Sequence, residues 1–308
     1  MCIRALIILL VALTVVPVCL AEAGKKKIVF LPGRQSHGWS GHAYSADCAL
    51  LANAINAGLP GAEAIVIKDG WPKDPAVLAG ASAIIIACDG NGVIGSKENY
   101  QKLDALAKQG VGIGFIHYSL DVGKDRGPFL LDWIGGFYDQ NWSVNPHWTA
   151  EFAALPDHPV TRGVKPFKIS DEWYYHMRFR EGMKGVTPIL SAVPPENTRK
   201  GPDGAHSGNP TVRSRTGMPE HVMWCAEREG GGRGFGFTGG HSHWNYAHDG
   251  YRKVLLNAIC WTAKIEVPAG GIPSARPTVE QMEANLEGQR PADWPPERTS
   301  KTIEKVNQ

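Results

Sequence analysis

Residues 110–119, GVGIGFIHYS, show no alternation of apolar and polar side chains until the run stops at His117 and Tyr118. A strand with that pattern has both faces covered, the condition of a parallel sheet with helices on each side. The runs KIVFLP at 27–32, AIIIAC at 83–88 and GFGFT at 234–238 repeat it, and a further strand is predicted at 64–68. Between the first two runs, Tyr44, Cys48, Leu51 and Ile55 fall on one stripe of a helix at 43–58, closed by Gly58 and Pro60. A second helix at 100–108 turns Leu103, Leu106 and Ala107 inward. This β-loop-α-β rhythm predicts a doubly wound, mainly parallel α/β sheet. Ligands of such sheets collect in the crevice at the carboxyl ends of the strands. His117, at the end of the central strand, is therefore the first candidate functional residue.

After His117 the rhythm changes. Residues 128–138 read as a packed insertion, 150–176 as short irregular strands, and 186–193 and 221–227 as two further strands. The long polar loop between them, 194–219, is either a functional flap or flexible. Residues 251–262 give an amphipathic closing helix. Beyond Lys264 the chain is Pro-rich and charged, with a short helix around 279–286, and reads as an extended or loosely packed arm. The expected organisation is a segment at 1–23, one α/β domain at 24–264 and a C-terminal extension at 265–308.

With 308 residues, of which 43% are hydrophobic, the chain can bury a full core. Its formal charge of +2 and scattered lysines and arginines give no basic stripe, so no nucleic-acid partner is expected. Arg4, the apolar run 5–16, Pro17 and the small-residue pattern Ala21-Glu22-Ala23 have the layout of an export signal, which predicts a periplasmic or secreted protein. The apolar run is shorter than the ~20 residues of a spanning helix, so no transmembrane anchor is expected. A lipoprotein signal through Cys19 is the alternative. Cys48, Cys88, Cys225 and Cys260 lie in predicted elements without metal-ligand spacing and read as buried thiols. The first loop lacks the GK[ST] ending of a phosphate-binding loop, and no GxGxxG follows the first strand, so neither a nucleotide nor a nicotinamide site is expected.

The chemistry-bearing residues cluster at loop positions. His37 and His42 share the glycine-rich loop after the first strand, Asp89 ends the third, and His241 and His243 follow the last. If residues 241–243 stay extended, the two imidazoles point to the same side. His117 is a candidate general base or metal ligand, or a histidine anchoring a loop. Asp171 and Glu172 supply acid and base, or pair with arginines such as Arg178. The histidines together with Glu172 form a divalent-metal set on one reading, and on the other they hydrogen-bond substrate and move protons. Trp39, Trp173, Tyr174 and Trp244 lie beside these groups, where aromatic faces suit a sugar ring or the core equally. His158, in an Asp-His-Pro-Val turn, is explained by turn chemistry.

Taken in order, SHGWSGH at 36–42, GFIHYS at 114–119, the run Asp157-His158-Pro159-Val160-Thr161-Arg162-Gly163, Asp171-Glu172-Trp173-Tyr174, and GRGFGFTGGH followed by RKVLLNAICW resemble the ThuA-like, or trehalose-utilisation, family over residues 26–262. The resemblance implies a flavodoxin-like, class I glutamine amidotransferase-like sheet with inserted strands and loops, and a link to carbohydrate metabolism at the level of oxidised (keto) sugars. In amidotransferases the turn after the central strand carries a nucleophilic cysteine. His117 matches that position here, so glutamine amidotransfer is not expected. The expected function is a sugar-modifying isomerase, lyase or hydrolase acting on a small carbohydrate or keto-sugar. His117, Glu172, His241 and His37 would be catalytic, with His42, Asp89, Tyr118, Asp171, Trp173, Tyr174, His243 and Trp244 binding substrate. The cofactor is left open, a divalent metal being the candidate. Alternatives are a non-catalytic carbohydrate-binding protein and a metal-assisted hydrolase.

Overall fold

The computed structural model describes residues 24–308, and the export signal read at 1–23 lies outside them. Strands β1 (Lys26–Pro32), β2 (Ala62–Val66), β3 (Ala81–Ala87) and β4 (Gly112–Ile116) alternate with helices α1 (Tyr44–Gly58) and α2 (Lys97–Lys108). Next come α3 (Gly127–Ile134), β5 (Gly136–Phe137), the hairpin β6 (His147–Phe152) and β7 (Phe167–Glu172), and β8 (Arg178–Phe179). The chain closes with β9 (Val186–Ala192), the single turn α4 (Pro210–Arg213), β10 (Glu220–Glu227), β11 (Arg233–Phe237), α5 (Asp249–Thr262), α6 (Val279–Glu283) and α7 (Pro296–Lys305).

The central sheet has the order β2-β1-β3-β4-β11-β10-β9. Its first five strands are mutually parallel, and β10 runs antiparallel to both neighbours. The order 2-1-3-4 followed by a fifth parallel strand is that of a flavodoxin-like sheet, with its crossover reversal between β1 and β3. The structure thus has the doubly wound, mainly parallel architecture expected from the unalternating strands. Helices α1 and α5 cover one face and α2 and α3 the other. The α1 stripe is the predicted one, with Tyr44, Cys48, Leu51 and Ile55 all buried. Glycine on β4 is a packing requirement: a Cβ at Gly112 would strike the Thr262 carbonyl of α5, and one at Gly114 the Phe235 ring.

Two expectations change. The tail is not loosely packed: Met282 of α6 and Ile303 of α7 are buried in a cluster with Trp244 and Ala247, and Trp294 stacks on Trp244 with ring centroids 5.3 Å apart. Proline content signalled an arm, yet the apolar residues spaced between the prolines fold back onto the domain. The 194–219 loop is anchored: Arg199, fully buried, donates to the carbonyls of Val212 (3.1 Å) and Met218 (3.2 Å) and pairs with Glu220. The four cysteines of the described residues are free and buried, as expected. Among the described residues no helix is long and apolar enough to cross a membrane.

Candidate functional site

The loop after β1 folds back on the loop after β11. The His42 amide donates to the His241 carbonyl (3.0 Å), the His243 amide donates to Ser40 (3.0 Å), and Gly41 bridges Ser242. This zipper brings His42 to the mouth of the sheet at the β1/β3 reversal, in a left-handed conformation with φ of 45°. Its Nδ1 donates to Asp89 Oδ1 at the end of β3 (2.8 Å), and the Tyr44 hydroxyl donates to the same oxygen (2.6 Å). Burial would raise the Asp89 pKa, but hydrogen bonds from His42, Ser36 and Tyr44 hold it well below the usual carboxylate range. Burial pushes the His42 imidazole down to about 4, against the raising pull of Asp89.

His117 ends β4 in a sharp turn with φ of 59°. A non-glycine residue is held in that region only where its surroundings over-determine it. Here the Ser119 hydroxyl accepts from the Ile116 amide (3.1 Å), closing the turn, and His117 Nδ1 lies 2.8 Å from the Thr238 carbonyl. A carbonyl only accepts, so Nδ1 carries the proton and Nε2 faces inward as a bare lone pair when the ring is neutral.

Asp171 and Glu172 end β7 and, being consecutive, point opposite ways. Asp171 turns inside and accepts from the Gly240 amide (2.9 Å) and the Tyr251 hydroxyl (2.8 Å), fastening the hairpin to the loop that carries His241. Glu172 turns toward the histidines: its Oε2 lies 3.1 Å from His241 Nδ1 and 3.4 Å from His117 Nε2, while Oε1 accepts from Asn145 (3.1 Å). Burial would raise its pKa, yet the contacts with His117 and His241 outweigh burial and keep it ionised. For His241 burial lowers the pKa, but the hydrogen bond to Glu172 prevails and the net shift is upward.

Three imidazoles and one carboxylate therefore converge. His42 Nε2 lies 3.0 Å from both His117 Nε2 and His241 Nδ1, and one donor atom from each of His42, His117, His241 and Glu172 falls within 4.8 Å of all the others. The Tyr174 hydroxyl reaches this group, 3.3 Å from His117 Nε2. His42 and His117 are buried, whereas Glu172 and His241 keep 14% and 22% of their side chains exposed, so the cluster opens on their side. Two exposed imidazoles flank that opening: the His37 ring is 5.6 Å and the His147 ring 4.7 Å from the His241 ring. Tyr118, half-buried, lies 6.0 Å from the His42 ring.

Of the twelve residues singled out in the sequence, the structure brings together His37, His42, Asp89, His117, Tyr118, Glu172, Tyr174 and His241, with Asp171 directly behind. It does not bring His243, Trp173 or Trp244 to the site. The segment after His241 leaves the extended state and enters a 3-10 turn at 243–247, so the period-two argument fails. His243 is buried against Asp47 (2.6 Å) and the Met282 carbonyl (2.6 Å). Trp173 packs between Phe152, Phe237 and Tyr251, and Trp244 packs with Trp39 and Trp294. Sequence reasoning missed His147 and Asn145. The alternation of buried Trp148, Ala150 and Phe152 on β6 puts His147 on the other face, and its pairing with Glu172 puts it at the site.

A family model described as ThuA, trehalose utilisation, matches residues 43–262. Among solved structures, a ThuA-like protein from Bacteroides uniformis is 18% identical with a TM-score of 0.53, over 80% of this chain and 95% of its own. A ThuA-like protein from Parabacteroides merdae is 12% identical with a TM-score of 0.52, over 82% and 98%. At these identities the likeness is one of fold. Among curated proteins no relative matches.

Proposed function

The chain belongs to the ThuA family, and from that premise we propose that it is an exported enzyme acting on a sugar derivative that bears a carbonyl, by proton transfer beside that carbonyl or by hydrolysis. The observation that carries the reading is the convergence of His42, His117, His241 and Glu172 at the strand ends, with two further imidazoles on its solvent side. The buried group polarises a substrate oxygen, and exposed His37 and His147 exchange protons with the substrate, the task for which imidazole is suited near neutral pH. The Tyr174 phenol, its pKa driven well up by burial, keeps its proton and serves as a fixed hydrogen-bond donor. The family's description supports a sugar as the substrate class, and the layout of residues 1–23 supports export.

The test is turnover of a panel of oxidised and unoxidised glycosides. A carbonyl-bearing member is expected to be converted, and His37→Ala and His147→Ala are each expected to lower kcat about 100-fold or more. Binding of a sugar without turnover would make the chain a carbohydrate-binding protein instead. That alternative has less support, because Trp173 and Trp244 are packed in the interior, which leaves the half-buried Tyr118 and the buried Tyr174 as the predicted aromatics that stand at the site.

A further inference from the structure

We infer that His42 Nε2, His117 Nε2, His241 Nδ1 and Glu172 Oε2 are the ligands of a single divalent transition-metal ion. The inference rests on the site used in the reading above and adds the electrophile that polarises the substrate oxygen.

The four donor atoms form a closed ring whose sides are 3.0 Å (His42 to His117), 3.4 Å (His117 to Glu172), 3.1 Å (Glu172 to His241) and 3.0 Å (His241 to His42). Metal–nitrogen and metal–oxygen bonds near 2.1 Å put neighbouring ligands about 3.0 Å apart at right angles and about 3.4 Å apart at the tetrahedral angle. All four sides fall within that interval.

The protons of the ring lead to the same place. His42 Nδ1 is engaged with Asp89 and His117 Nδ1 with the Thr238 carbonyl, so in these tautomers the two Nε2 lone pairs face each other at 3.0 Å. Such a contact needs a cation between the nitrogens. A proton bridges one side of the ring, whereas a metal ion satisfies all four at once. The outer contacts are those that orient metal ligands: a carboxylate behind His42, a backbone carbonyl behind His117 and the Asn145 amide on the second oxygen of Glu172.

Three imidazoles and a carboxylate suit zinc, manganese, iron, cobalt or nickel rather than calcium or magnesium. Because His42 and His117 are buried while His241 and Glu172 are partly exposed, the open coordination positions face His37 and His147. A sugar carbonyl or hydroxyl oxygen entering there would be polarised by a Lewis acid with proton-transfer groups beside it.

The experiment is titration of chelator-stripped protein with zinc, manganese and cobalt(II), read by calorimetry, elemental analysis and the visible spectrum of the cobalt form. One equivalent is expected, with a cobalt spectrum free of sulfur charge transfer. His241→Gln and His117→Gln are expected to weaken binding at least 100-fold, Asp89→Ala to weaken it about 10–100-fold, and His221→Gln, remote from the site, to leave it unchanged. No binding of any of the three by the folded protein, or wild-type affinity in folded His241→Gln, overturns the inference. Should His117→Gln fail to fold, His241→Gln and the cobalt spectrum decide. A metal-binding protein that converts no sugar would overturn the proposed function alone, and a metal-free protein that converts one would overturn the metal alone.

Discussion

Asp171 and Glu172 are neighbours in the chain with opposite tasks, and the difference follows from the two-residue period of a strand. Glu172 faces the imidazoles. Asp171 faces inward, where its Oδ2 accepts from the Gly240 amide and the Tyr251 hydroxyl and so holds the His241 loop in place. Asp171→Ala would leave both donors buried without an acceptor, at a cost of about 2–5 kcal/mol. Chemical denaturation should show that loss. Glu172→Gln keeps the side chain's volume and should shift the denaturation midpoint far less while abolishing turnover. Equal losses of stability in the two variants would mean that Glu172 is part of the scaffold and not of the site. Gly240, with φ of 119°, passes so close to His117 that a Cβ on it would stand 3.1 Å from the His117 Cβ.

At the scale of elements, strands were legible where side chains do not alternate, because burial on both faces leaves that local signature. The residues at strand ends were legible for the same reason: the sheet fixes where a parallel strand stops, and so Asp89, His117 and His241 meet. What was not legible depends on contacts distant in sequence. The left-handed turn at His117, the pairing of His147 with Glu172 and the turn that carries His243 away from His241 are set by packing, not by local pattern. The tail was misread in the same way, since the apolar face that holds α6 and α7 is supplied by Trp39, Trp244 and Ala247. Removing residues 278–308 would expose that face and deprive His243 of the Met282 carbonyl. Losing the burial of Met282 and Ile303 costs about 3–6 kcal/mol, or roughly 10 °C in the unfolding midpoint. The loop at 33–42, packed against Trp294 through Trp39, should become more open to trypsin at Arg34. An unchanged midpoint and cleavage rate would return the tail to the loosely packed arm its composition suggested.

For the molecule as a whole, histidines outside the site that stand partly or wholly out of water make stability depend on pH. His158, His176, His221 and His248 all have lowered pKa values, burial being the main cause in each. His176 is pushed furthest, to about 4, by burial and then by Arg215, Arg178 and Arg199. It stacks on Trp142 with ring centroids 4.4 Å apart and cannot take up a proton there without facing those guanidiniums. In the unfolded chain the same ring protonates near 6.5. The unfolded state therefore binds the extra proton first as acid is added. The stability from keeping this ring neutral is complete above about pH 6.5 and is lost as pH falls toward 4. The loss from His176 is about 1–2 kcal/mol after allowing for solvent near the ring. His176→Asn removes the titrating group while tolerating the left-handed backbone, φ 57°, found there. The variant should be less stable at pH 7, having lost the stack on Trp142, yet decline more gently between pH 6.5 and 4. Denaturation midpoints measured across that range for both proteins would show two curves that converge on the acid side. Parallel curves would assign the acid sensitivity to other groups.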